Sequence, residues 1–418
     1  MRCRDPWSDP TPSSGHVDVN SSTTQEALLP NPEGSAAVPQ LDLFKHGHER
    51  PAAESKAFLT KQVLTYIGNK RSLLDFIGQA IPKVQRAVGK ERLDTFDVFS
   101  GSGVVARYLK RFSRRLVVCD IERYSSIVNS CYLSNRSDLD EAEIREVVTR
   151  INEQAKATLR PGFITELYAP ADEENIKPGE RVFYTRRNAM MIDTVRALID
   201  ESVPEHLRTF VLAPLLYVAS VHANTSGVFK GFYKNSSTGL GQYGGNGRNA
   251  LTRICKPFDI PVPVFSQYEC DHEVHLGDSN AVARRVPRVD LAYLDPPYNQ
   301  HPYGSNYFML NTIAENARPS EISRVSGIPK HWNRSDYNKR KRSFEALRDL
   351  VHALDARFLL VSYNSEGFIQ LDQMREMLGE VGSVESLETQ YNTFRGSRNL
   401  RDRDTYVSEH LFLVDRGA

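Results

Sequence analysis

Thr95-Phe96-Asp97-Val98-Phe99, then Ser100-Gly101-Ser102-Gly103, then Val104 to Phe112 read as strand, glycine turn and helix in direct succession. The first five residues carry the β-branched and aromatic side chains of a buried strand. Gly101-x-Gly103 lets the chain reverse tightly and brings backbone close to a ligand. With Ala106 the spacing matches the nucleotide-binding pattern G-x-G-x-x-G/A. Arg115 to Cys119 forms a second short apolar strand, and it ends at Asp120, where a carboxylate that takes ribose hydroxyls belongs.

Working outward, Glu273 to Leu276 precedes Gly277-Asp278, and Val289 to Leu294 runs straight into Asp295-Pro296-Pro297-Tyr298. Arg357 to Tyr363 is a further buried-strand candidate. Val384 to Phe394 and Tyr406 to Val414 read as a hairpin around an arginine-rich loop that closes the sheet. Near-continuous apolar runs separated by helical stretches predict a parallel sheet covered on both faces, an α/β doubly wound fold.

The Asp-Pro-Pro-Tyr segment then falls at the carboxyl edge of the sheet, where open α/β sheets bind ligands. Its prolines fix the backbone, remove two amide donors and leave carbonyls free to accept. An exocyclic amine whose lone pair must face an electrophile needs such acceptors, and the Asp295 carboxylate and the Pro296 carbonyl supply them. Tyr298 offers a flat face for a base. The glycine fingerprint alone fits an NAD enzyme nearly as well. Against that stand the lack of a second nucleotide-binding half and of a hydride-transfer His or Tyr constellation, and the more specific fit of Asp-Pro-Pro-Tyr to amine chemistry.

The chain has 418 residues and a formal net charge of +1, so its overall charge points to no particular partner. The distribution says more. Val228 to Phe258 holds Lys230, Lys234, Arg248, Arg253 and Lys256 without an acid. Lys330 to Arg342 holds Lys330, Arg334, Lys339, Arg340, Lys341 and Arg342 against Asp336 alone, and Arg395, Arg398, Arg401 and Arg403 form a third cluster. Together they predict a phosphate-binding surface. No run approaches the roughly 20 apolar residues of a membrane span, and the polar start lacks an apolar signal core. A cytoplasmic location is expected. Cys3, Cys119, Cys131, Cys255 and Cys270 are odd in number and scattered, as expected of reduced, mostly buried thiols rather than disulfides or a zinc site.

Taken together, these residues resemble the D12 class of N6-adenine DNA methyltransferases, the Dam-like group, over roughly residues 60 to 415. Tyr66-Ile67-Gly68-Asn69-Lys70 is similar to the family's N-terminal cofactor motif, and Asp97 to Gly103 is similar to its F-x-G-x-G motif. The resemblance implies a Rossmann-like sheet that binds S-adenosylmethionine through Tyr66, Lys70, Phe99, Gly101, Gly103, Asp120 and Asp278. Asp120 would take the ribose and Asp278 the cofactor adenine, while Asp295, Pro296, Pro297 and Tyr298 perform the transfer. No metal is expected, since the methyl donor brings its own leaving group.

The resemblance further implies an inserted target recognition domain at 136–270, between catalytic parts at 56–135 and 271–418; residues 1–55, rich in Pro, Ser, Thr, Asn and Glu and without a sustained period, are expected to be a disordered tail. Lys230, Lys234 and Arg253 would meet DNA, and Arg248 and Asn249 would read base edges, since Arg suits guanine and Asn suits adenine. Asn306, Tyr307 and Phe308 would line the base pocket. Gly68-Asn69-Lys70 departs from the Gly-Gly-Lys usual in Dam enzymes. Together with the long insert, that departure suggests a branch with a cognate restriction endonuclease. Duplex DNA is the expected partner and a monomer the expected state. RNA or cytosine-N4 methylation, and a DNA-binding protein with a decayed methyltransferase fold, remain as alternatives.

Overall fold

The computed structural model describes residues 54–245, 250–392 and 406–417. The expected tail through Ala53, the proposed base readers Arg248 and Asn249, and the arginine cluster Arg395 to Arg403 lie outside the described residues.

Seven strands form one sheet: β1 (Leu93–Asp97), β2 (Ser113–Asp120), β3 (Asp271–Leu276), β4 (Val289–Leu294), β5 (Ala356–Asn364), β6 (Ser383–Asn392) and β7 (Tyr406–Asp415). Their spatial order is β3-β2-β1-β4-β5-β7-β6. The first five run parallel. β7 lies antiparallel between β5 and β6, so the expected hairpin closes the sheet. Alternate residues of each strand serve different cores, as a two-residue period requires. Ala292 and Leu294 of β4 join one buried cluster with Phe96 and Leu359, whereas Leu291 and Tyr293 join another with Leu116 and Leu360. Helices therefore cover both faces, which explains why the central strands lack polar alternation.

Strand order reverses between β1 and β4, where Asp97 pairs with Tyr293. The glycine turn after β1 and Asp295 after β4 therefore emerge side by side at the carboxyl edge. That crevice is where open sheets place ligands.

Residues between β2 and β3 are largely helical. Helix Glu141–Ala157 starts where the Asp140 carboxylate accepts from the amides of Ala142 and Glu143. Helix Arg186–Ser202 starts at Thr185 and buries Ile192, Val195 and Ile199 on one face. These helices and Arg208–Val221 do not enclose a core of their own. Ile144, Ile192 and Leu215 share one cluster with Tyr124 and Val128 behind β2 and with Tyr307 and Leu310 after the proline segment. The insert is thus a helical layer fused to the sheet's flank. Among the described residues, no helix is long and apolar enough to cross a membrane. Cys119, Cys131 and Cys270 are buried and form no disulfide.

Candidate active site

A cleft of about 880 Å³ opens between the carboxyl ends of β1 and β4. Its floor is the glycine turn. Gly101 and Gly103 have φ of 52° and 74°. A Cβ on Gly103 would stand 2.6 Å from Asn129 Oδ1, so conformation and space both demand glycine. The Gly101 amide donates to Asp120 Oδ2 at 2.7 Å and the Glu122 amide to Oδ1 at 2.8 Å. Burial raises the Asp120 pKa to about 6, against the pull of those two amides. Phe99 meets Tyr337 edge-on at 5.1 Å. Asp278 caps helix Ser279–Ala283 by accepting from the Ala281 amide at 3.1 Å, and it lines the same cleft.

Asp97 also lines the cleft; neither of its buried carboxylate oxygens has a partner in good hydrogen-bond geometry, although the Ser100 hydroxyl and the Ala106 amide lie near enough to lower its pKa. The neighbouring Ser100 hydroxyl is turned to Asn129 Oδ1 at 3.1 Å. Burial, then the charge of Asp295, pushes the Asp97 pKa up to about 8. An unsatisfied acid facing a cavity is costly unless a ligand completes it.

Across the cleft, Lys70 Nζ lies 3.2 Å from Asp295 Oδ1 and 2.6 Å from Glu409 Oε1. Lys70, a cofactor-binding candidate in the sequence, lines the cleft and directs its ammonium at these two acids. They hold its pKa well above the usual range although burial opposes them. Burial raises the Asp295 pKa to about 6, with Lys70 lowering it and Glu409 raising it. Pro296 is buried and Pro297 lines the cleft. Tyr298 is half-buried, its ring 6.2 Å from that of Tyr363 and edge-on to it.

The Tyr66 ring lies near parallel to those of Tyr303, at 5.0 Å, and Tyr307, at 4.5 Å, in a three-ring cluster, and its hydroxyl meets that of Tyr124 at 3.1 Å. Of these, Tyr66 and Tyr303 line the cleft. Tyr307 and Phe308, expected in a base pocket, are in the core instead. Tyr307 uses its hydroxyl to hold the Ile67 amide at 2.6 Å, and Phe308 packs with Tyr168 and Phe183. Helix Phe308–Glu315 turns its apolar face to the helical layer, and that packing claims them.

Several polar and aromatic residues of the cleft and its surroundings escaped the sequence reading, among them Asp97 and Tyr303. Glu122 Oε2 accepts from Asn311 Nδ2 at 2.6 Å and Asn333 Nδ2 at 3.1 Å, and burial lifts its pKa to about 7. Asn333 and Tyr337 come from the basic run 330–342 that was read only for its charge. Glu409 comes from the closing hairpin. Among Glu122, Asn333, Tyr337 and Glu409, only Glu122, two residues beyond Asp120, carried a local signal.

The expected DNA-facing residues divide. Lys230 is exposed, and its charge, after burial, lowers the pKa of His301, so its loop borders the one after the proline segment. Lys234 stands 5.3 Å over the Phe232 ring. Arg253 is half-buried and serves the fold: its guanidinium donates to the carbonyls of Val221 and Ala223 at the end of helix Arg208–Val221. In the run 330–342, Lys330 pairs with Glu321, and Lys339 and Arg342 pair with Asp336. Arg334 lies 4.1 Å over Trp332.

A sheet of this order, with a glycine turn and an acidic proline segment on adjoining strand ends, defines a Rossmann-like methyltransferase. The family model of D12 class N6 adenine-specific DNA methyltransferases matches residues 66–260 and 264–377, and the chain belongs to that family. It is an adenine-specific DNA methyltransferase. The chain is similar to Type II methyltransferase M.NlaIII of Neisseria lactamica, 28% identical over 364 residues that cover 84% of this chain and 99% of that protein. Type II methyltransferase M.CviAII of Paramecium bursaria Chlorella virus 1 is 28% identical over 359 residues, 84% of this chain and 97% of its own. Modification methylase StsI of Streptococcus sanguinis is 24% identical over 371 residues, 84% of this chain but 52% of its own.

Proposed function

We propose that the cleft binds S-adenosylmethionine and that Asp295-Pro296-Pro297-Tyr298 presents to it an adenine flipped out of a specific duplex site. The observation that carries this reading is the orphaned Asp97 carboxylate beside the glycine cradle, in the same cleft as Asp295. Asp97 suits the α-ammonium of the cofactor, Asp120 its ribose hydroxyls, and Phe99 and Asp278 its adenine. Tyr66, Gly101 and Gly103 shape the wall along it. The cofactor supplies a methyl carbon on a sulfonium leaving group.

Asp295 and the Pro296 carbonyl accept from the adenine N6 hydrogens and turn the nitrogen lone pair into the cleft. Orientation of this kind removes on the order of 7–11 kcal/mol from a bimolecular barrier. Tyr298 gives the extruded base a stacking face, and chemistry on a base inside a duplex requires extrusion. Lys70 acts through Asp295. Lys230 and Lys234 meet phosphates, and residues 136–270 carry target recognition, with Arg248 and Asn249 at base edges. The Type II names of the relatives support a restriction-modification role with a cognate endonuclease, in a cytoplasmic, monomeric enzyme.

Titration calorimetry with S-adenosylmethionine tests the cofactor half. Saturable one-to-one binding, weakened by Asp97→Asn and Asp120→Ala, is expected. Absence of binding by the wild-type protein overturns the reading.

A further inference from the structure

Glu409 and Lys70 form a buried ion pair with 1% and 4% side-chain exposure, 339 residues apart in sequence. Glu409 stands on β7 opposite Asn364 of β5, and Ser362 donates its hydroxyl to Glu409 Oε1 at 2.5 Å. The other oxygen, Oε2, is buried without a partner. Lys70 thus faces two carboxylates, nearer Glu409 at 2.6 Å than Asp295 at 3.2 Å. A cluster of two acids and one base, with Lys70 and Glu409 buried and Asp295 20% exposed, is a poor stabilising device, because the single cation offsets desolvation for only one of the acids. A well-packed apolar residue at 409 would serve the fold at least as well.

We propose that Glu409 is a positioning residue for methyl transfer: it anchors the Lys70 ammonium against Oδ1 of Asp295 and divides that cation between two carboxylates, so that the Asp295 carboxylate keeps the basicity to accept from the adenine amine. The proposal rests on the reading of Asp295 as that acceptor. Without the Glu409 charge, Lys70 belongs to Asp295 alone and weakens it as an acceptor. Without Lys70, the two acids repel and one takes a proton. The charged and titratable groups around Asp295 are Lys70 from the N-terminal turn, Asp97 from β1, Glu409 from β7, Tyr293 from β4, and Tyr298 and Tyr303 from the loop that follows. Of these, Glu409 raises the Asp295 pKa and Lys70 lowers it, so removing the Glu409 charge must move Asp295 downward.

The test is the single-turnover rate of methyl transfer to duplex DNA at saturating cofactor and DNA, followed from pH 5 to 8.5 for the full chain and its Glu409→Gln, Glu409→Asp and Asp295→Asn variants. Glu409→Gln is expected to bind both ligands as wild type does, to transfer roughly 10-fold more slowly at neutral pH, and to shift the acid limb below the wild-type position near 6. Glu409→Asp, which keeps the charge, restores the limb and part of the rate. A purely structural role would lower the rate without moving the limb. A folded Glu409→Gln variant whose acid limb stays with wild type overturns the proposal, whatever its rate. If Glu409→Gln does not fold, Ser362→Ala carries the test: a several-fold slower transfer with a displaced acid limb at unchanged ligand affinity supports the anchor, and a wild-type rate or an unmoved limb overturns it. Asp295→Asn separates the two readings, since activity retained there defeats the acceptor role itself, whereas its loss beside an unaltered Glu409→Gln defeats only the role of Glu409.

Discussion

The two sides of the cleft hold their carboxylates by different means. On the cofactor side, Asp120 accepts from the backbone amides of Gly101 and Glu122, at separations of 19 and 2 residues. Backbone donors carry no titratable charge, and the fold of one strand–turn–helix unit fixes them. On the transfer side, Asp295 is held by a buried lysine that is held in turn by a glutamate from the far end of the chain. That arrangement exists only when β4, β5 and β7 have assembled, and it responds to pH and to the charge of each member. The contrast suggests a division of labour: local geometry for affinity, long-range electrostatics for rate.

Variants should separate along the same line. Asp295→Asn is expected to cut single-turnover transfer by about 10²–10³-fold or more while both ligands still bind within a few-fold, because it removes an acceptor that matters most as charge develops. Loss of DNA or cofactor affinity instead would break the division. Asp120→Ala should show the converse in calorimetry, with S-adenosylmethionine bound roughly 10–100-fold more weakly, the worth of a charge-assisted hydrogen bond, and the rate at saturation preserved.

Asp97→Asn sharpens the comparison because it should change affinity and stability in opposite directions. The folded-state pKa of Asp97, about 8, lies above its ordinary value, so its stabilising contribution is present in acid and lost as pH rises toward 8. Thermal melting should therefore find the variant increasingly more stable than wild type between pH 4 and 8. Cofactor binding should fall about 10-fold, as expected when a charged partner is lost. A melting difference that does not change with pH would remove Asp97 as a buried, ligand-awaiting acid. The smallest effect is expected at Lys234→Ala: binding to duplex DNA should weaken a few-fold, with the salt slope reduced by about 1 and transfer at saturation unchanged.

What could be read from the sequence follows the same contrast. Strand, glycine turn and helix are a single local unit, so Gly101, Gly103 and Asp120 could be placed from spacing alone. The apolar run of β4 put Asp295 at a sheet edge. The arginine of the basic insert misled, because Arg253 is spent on the carbonyls that end a helix, a use that composition does not reveal. Tyr307 and Phe308 misled for a related reason: an aromatic after the proline segment suits either a pocket or a core, and only the packing of helix Phe308–Glu315 decides. Glu409 could not be found, since nothing near it in the chain marks an acid on this apolar strand, which the sequence cannot place between two others, as more than surface charge. Its meaning lies in Lys70, 339 residues away in sequence, and only the assembled fold brings the two together. Tyr337 and Asn333 were hidden inside a run whose charge drew attention from its neutral residues.

The most direct measurement is to incubate the purified protein with unmethylated duplex DNA and methyl-labelled S-adenosylmethionine, digest the DNA to nucleosides and locate the label by mass spectrometry. Label confined to N6-methyldeoxyadenosine, and absent when Asp295→Asn replaces the wild-type protein, is the expected result. Label on cytosine or only on RNA, or equal label from the Asp295→Asn protein, would contradict the assignment of this cleft as the place where adenine is methylated.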